Sequence, residues 1–129
     1  MSRASERGAV AVEFAIVAPV LVMLLLGIVE FSRAYNTQAS LSAAAREGVR
    51  VMAITGNQAT ARSAAKAAAV SLHPGLPDTS IVFGTPCPST ASTGTSPQAT
   101  ITITYSLSTL TGIAGPFTMT GKGAMLCGG

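Results

Sequence analysis

The run from Val10 to Val29, VAVEFAIVAPVLVMLLLGIV, carries one charge, Glu13. With Ala9 added it is 21 residues long, enough to meet the ~20 residues that a helix needs to cross a bilayer. Only 10% of the chain is charged, against about 25% in a soluble globular domain, so a membrane segment accounts for the composition as well as the pattern. Pro19 lies inside the run. A membrane helix tolerates proline where neighbours satisfy the freed carbonyl, so Pro19 predicts a kink, not an end. Arg3 and Arg7 precede the run, which favours a cytoplasmic N-terminus and an exported remainder. A cleaved secretory signal fits less well. Its apolar core is usually ~7–15 residues, and the exit GIVEFSRAYN shows no small-x-small cleavage site.

The helical rhythm does not stop at the boundary of the run. Ile28, Phe31, Tyr35, Leu41, Ala45, Val49 and Met52 recur mostly at spacings of three or four, with Gln38 filling the gap. Neither Gly nor Pro interrupts residues 28–47. One helix is therefore expected from Ala9 to about Ile54, ended by Thr55-Gly56-Asn57. Its length is about 45 residues, or roughly 68 Å. The hydrocarbon layer takes only ~30 Å of that, so the outer half must bury its stripe against something else.

Beyond Gly56 the chain reads as a small α+β head. Residues 57–72, NQATARSAAKAAAVSL, predict a second, alanine-rich helix capped by Asn57 and stopped by His73-Pro74-Gly75. Ala61, Ala64, Ala68 and Leu72 would give it a small-residue face for close approach to the first helix. The period then changes to two. Ile101, Ile103, Tyr105 and Leu107 alternate with Thr and Ser in TITITYSLS, residues 100–108, a strand with one buried face. SIVFG (80–84) and PFTMTGKGAMLC (116–127) are its expected partners, and 84–98 is a polar loop. Three short strands do not hold a free-standing sheet, but they can pack on the protruding helix. The expected fold is thus α+β and membrane-anchored, a plan that resembles that of pilins. It comprises a long N-terminal helix, half of it transmembrane, a short Ala-rich second helix and a small antiparallel sheet of about three strands.

Cys87 and Cys127 both lie C-terminal to the apolar run. In an exported head, an even count far apart in sequence reads as one disulfide, the alternative being two unrelated buried thiols. Such a bridge closes about 40 residues, worth roughly 4 kcal/mol in the chain-entropy model. Other function classes find little support. Cys87, Cys127 and His73 are too few at these spacings for a metal site, and no cofactor motif is present. A Cys87 nucleophile with His73 as base lacks an oxyanion motif and a third orienting group. A net charge of +3, no Trp and two Tyr offer no basic patch or stacking platform for nucleic acid. Arg46, Glu47 and Arg50 read as a solvated helix face with internal pairs. Glu30 marks the outer interface, with Arg33 as a partner, and His73 reads as a helix-end residue near the C-terminal dipole.

At Gly8 the plan becomes specific. A glycine precedes the apolar run, Glu13 is fifth after it, and Phe14 comes next. Pro19, Gly27-x-x-Glu30-Phe31 and Ala44-Ala45-Arg46-Glu47-Gly48-x-Arg50 complete the pattern. Residues 7–56 resemble the TadE-like family, minor pseudopilins of the Flp or tight-adherence pilus. The remainder agrees only in outline. The resemblance implies a short hydrophilic leader, residues 1–8, removed by a prepilin peptidase between Gly8 and Ala9. It then implies a transmembrane helix over 9–29, its exported continuation over 30–56 and a head over 57–129. It further implies a structural, non-enzymatic subunit located in the cytoplasmic (inner) membrane or on the surface pilus. Its partners would be the major Flp-type pilin, other minor pseudopilins and the inner-membrane assembly platform.

Glu13 is the residue this reading must explain. A charge at the bilayer centre costs ~2.5–3.5 kcal/mol on insertion scales, less near the end. Processing would create a partner for it, the α-ammonium of Ala9. The resemblance implies that this amine meets Glu13 of a neighbouring subunit, with Phe14 beside it, and so sets axial register. The alternative is that Glu13 favours the positive end of its own helix, worth ~0.3–1 kcal/mol. At the level of the whole protein, the alternative is a signal-anchored single-pass protein whose exported head binds a partner outside any pilus.

Overall fold

The computed structural model describes residues 3–88 and 97–128. Helix α1 spans Arg3–Thr55 and runs through Pro19 without a break. Helix α2 spans Gln58–Ala68. A 3-10 turn, Asp78–Ser80, leads into strand β1, Ile81–Phe83. Strands β2, Gln98–Leu107, and β3, Phe117–Leu126, complete a sheet of order β1-β2-β3 in which both pairings are antiparallel. The chain divides into two units, residues 1–33 and 34–129. Of the polar loop expected over 84–98, residues 89–96 lie outside those described.

Local chemistry accounts for the boundaries. α1 ends where Gly56 takes a φ of 63° and its N–H donates to the Met52 carbonyl at 2.9 Å, the left-handed helix stop. Asn57 then caps α2, its side-chain oxygen accepting from the N–H groups of Ala59 (2.9 Å) and Thr60 (3.2 Å). α2 stops at Ala68, short of the expected Leu72. The residue before a proline is pushed out of the α region. The chain tightens ahead of His73-Pro74, with the Ala69 N–H donating to the Lys66 carbonyl and the Leu72 N–H to that of Ala69. His73 consequently lies past the helix, not in its last turn.

The head's core gathers on one face of α1. Thr37, Leu41, Ala44, Ala45, Val49, Met52 and Ala53 are buried, the i, i+4, i+7, i+8 pattern of an amphipathic helix. The expected stripe is right from Leu41 onward and wrong before it. Ile28, Phe31 and Tyr35 are exposed, because the covered face begins only at Thr37. Gln38 sits beside that face, and its amide donates to the Thr120 carbonyl at 3.1 Å. On α2 the inward residues are Ala61 and Ala65, succeeded by Ala69 and Leu72. Ala64 and Ala68 flank that face and are half-buried. β2 contributes Ala99, Ile101, Ile103, Tyr105 and Leu107, all buried, as its alternation requires.

β3 reaches α1 in another way. A β-carbon on Gly121 would stand 2.6 Å from the Leu41 carbonyl oxygen, and one on Gly123 2.6 Å from that of Ala45. Neither position has room for a side chain, so strand backbone lies directly on helix backbone. Across the ladder, Ile103 pairs with Gly121 and Ile101 with Gly123. The isoleucines therefore fill the space beside the helix that the glycines leave. Gly48 makes the matching approach on α1, where a β-carbon would meet Ile101 Cδ1 at 2.8 Å and the Ala65 methyl at 3.0 Å.

Candidate assembly segment and the adjoining head

The residues expected to carry assembly all lie on the N-terminal part of α1. The Gly8–Ala9 peptide bond falls inside the helix, which begins at Arg3 and not at Ala9 as expected. Glycine in a helix interior costs roughly 0.5–1 kcal/mol relative to alanine, and Gly8 meets no atom within 4 Å that would explain it by packing. Glu13 is exposed, and Phe14 beside it is 72% exposed. Ala9 and Glu13 stand one helical turn apart on one face. Side chains tilt toward the helix N-terminus, which aims the Glu13 carboxylate at the Ala9 end.

From Val10 to Val29 every large apolar side chain is exposed. An 18-residue window of this helix has a mean hydropathy of 2.7 and none of it is buried. Among the described residues, nothing else in this unit covers it, and one helix is long and apolar enough to cross a membrane. At the C-terminal end of the run Arg33 Nη1 lies 3.7 Å from Glu30 Oε2.

The head carries its charges outside. Arg50 grips Glu47 with two hydrogen bonds, 2.9 and 3.1 Å, and holds its carboxyl below the usual carboxylate range. Lys66 pairs with Asp78 and lowers that carboxyl likewise. Arg62 donates to the Asp78 carbonyl at 3.3 Å and stacks over Phe83 at 5.6 Å, so α2 is tied to the turn before β1. The segment Ala44 to Arg50 thus splits by function. Ala44, Ala45 and Gly48 are buried where the elements meet. Arg46 and Arg50 face out, with Glu47 beside them. The sequence pattern marks this segment without revealing that its small residues are what let α2 and the sheet approach.

Cys87 and Cys127 form the disulfide, S–S 2.00 Å with Cα atoms 5.6 Å apart. The Cys127 N–H donates to the Pro97 carbonyl at 2.9 Å, and the Gly128 N–H to that of Ala53 at 3.2 Å. The bridge removes the Cys87 thiol, so the Cys87–His73 nucleophile pair has no chemistry to perform. The Tyr105 hydroxyl donates to the Pro74 carbonyl at 2.9 Å, satisfying the polar end of an otherwise buried ring.

A long apolar N-terminal helix, a short second helix and a three-stranded antiparallel sheet define a pilin-like α+β protein. Within that class the family described as TadE-like protein matches residues 8–50 of the chain. The family is associated with assembly of the Tad (Flp) pilus and is not an enzyme family. No curated protein and no solved structure matches the chain. The matched segment begins at Gly8 and ends at Arg50, so it takes in both the apolar surface and the small residues that seat the head.

Proposed function

We propose that this chain is a structural minor pilin-like subunit of a Flp, or tight-adherence, type IVb pilus, acting in pilus assembly and surface adherence. A prepilin peptidase removes residues 1–8. The apolar part of α1 anchors the subunit in the inner membrane with its N-terminus cytoplasmic and its head exported. There it meets the major Flp-type pilin, other minor pseudopilins and the assembly platform. The observation that carries this reading is the pairing of Gly8, Glu13 and Phe14 with a helix whose apolar surface no described residue of its own unit covers. A surface of that kind needs lipid or other helices of the same kind.

Removing residues 1–8 leaves the Ala9 ammonium one turn from Glu13. The two can pair within one chain or between neighbours. In the assembled fibre the neighbouring pair sets register, which a pair within one chain does not. The direct test is the N-terminal sequence and intact mass of the protein from a host with the peptidase. A mature chain beginning at Ala9 is expected, with Gly8→Leu remaining full length. A chain that always retains residues 1–8 overturns the pilin reading and leaves a signal-anchored protein with a partner-binding head.

A further inference from the structure

We infer that the β2–β3 hairpin tip of the head, carrying Leu110, Ile113 and Phe117, rests on the outer surface of the lipid bilayer. This inference relies on the membrane-anchored part of the proposed function.

The tip is apolar where a loop is usually polar. Ile113 is 89% exposed, Leu110 62% and Phe117 50%. The loop is organised, with Thr109 Oγ1 donating to the Ala114 carbonyl at 2.6 Å and Gly112 at a φ of 66°. No charged side chain lies between Asp78 and Lys122, so the whole hairpin up to Gly121 can approach hydrocarbon with no ion to desolvate.

Its place in the head selects the occupant. β3 runs along α1, with Thr120 bonded to Gln38, Gly121 against Leu41, Gly123 against Ala45 and Gly128 bonded to Ala53. Going back from Thr120, Phe117 lies about 10 Å further along the strand. Going back from Gln38, the head's part of α1 ends at Ala34, about 6 Å away. The tip therefore extends at least to the end of the head through which the chain enters from the apolar run. Tyr35, on α1 at that same end, is 70% exposed. Amphipathic rings of this kind concentrate at the bilayer–water boundary. Apolar faces of interfacial segments seat there about 5–10 Å deep.

The chain has no tryptophan, so single-tryptophan variants of the full chain report their own surroundings. Ile113→Trp, Val82→Trp and Leu24→Trp are reconstituted in phosphatidylcholine vesicles with and without brominated acyl chains. Val82 is an exposed position on β1, and Leu24 lies in the apolar run. Ile113→Trp is expected to emit to the blue of Val82→Trp and to lose emission to brominated chains, while Val82→Trp does not. Quenching of Leu24→Trp alone overturns the tip contact and keeps the anchor. Blue-shifted emission from Ile113→Trp that bromine leaves untouched assigns the tip to a protein surface and also overturns it. Failure of Leu24→Trp to be quenched overturns the anchor itself.

Discussion

The carbonyl oxygen of Ala45 stands 2.6 Å from where a β-carbon on Gly123 would be, so α1 and β3 meet backbone to backbone. Gly123→Ala must push the strand off the helix, since a main-chain carbonyl inside α1 has no rotamer to yield. Overpacking of this kind costs about 1–3 kcal/mol, and Gly121→Ala, facing the Leu41 carbonyl, should behave alike. Gly75→Ala meets no atom within 4 Å and should leave stability unchanged. Thermal unfolding of the detergent-solubilised chain checks all three. Equal melting of Gly123→Ala and Gly75→Ala would show that the head does not depend on this contact.

That contact also marks where the sequence stops being readable. β2 was legible because its period of two needs only one buried face, and residues 99–107 show that face directly. β3 was legible as a strand, yet Gly121 and Gly123 look like breaks in it until α1 is laid across them. The stripe on α1 could be read in phase but not in extent. Ile28, Phe31 and Tyr35 continue the spacing, and only the reach of the sheet decides that burial begins at Thr37. Gly8, Glu13 and Phe14 are marked out by the sequence pattern alone. They are exposed on α1, as are the large apolar residues around them.

The Cys87–Cys127 bridge spans a sequence separation of 40 and ties the residue after β3 to the loop after β1. Its loss should lower head stability by roughly 4 kcal/mol in the chain-entropy model, a large share for a core whose fully buried large side chains are Leu41, Met52, Ile101 and Ile103. Mass mapping without reductant should join the two peptides, and reduction should make the head sensitive to protease. Free thiols on both residues in protein from the cell envelope would contradict the bridge and the export of the head together.

Glu47 and Asp78 have carboxyls lowered by hydrogen bonds from Arg50 and Lys66. A depressed folded value means the unfolded chain binds protons first as pH falls. The stabilisation is present above the ordinary carboxylate range and fades as pH drops through the folded values. Both pairs are exposed, so the effect is small and screened by salt. The double variant Glu47→Gln, Asp78→Asn should melt slightly below wild type at neutral pH and alongside it in acid. A gap between the two that is unchanged in acid would show that these ion pairs do not stabilise the head.

Glu13→Gln separates assembly from anchoring. The substitution removes a charge from an exposed face of α1 and keeps its shape. A membrane segment without that charge is easier to insert, so membrane levels should hold or rise. Gly8 is untouched, so cutting before Ala9 should continue. The counter-charge for the new Ala9 ammonium disappears. If that amine pairs with Glu13 of a neighbour, subunits enter the membrane and are processed but fail to register. Pilus number and surface adherence then fall at equal protein level. Glu13→Asp restores the charge on a shorter stem and should recover part of the assembly. If the pair forms only within one chain, or Glu13 serves only its own helix end at ~0.3–1 kcal/mol, the Gln variant should assemble as wild type does. Pilus counts by electron microscopy, normalised to the membrane-bound subunit, decide between the two.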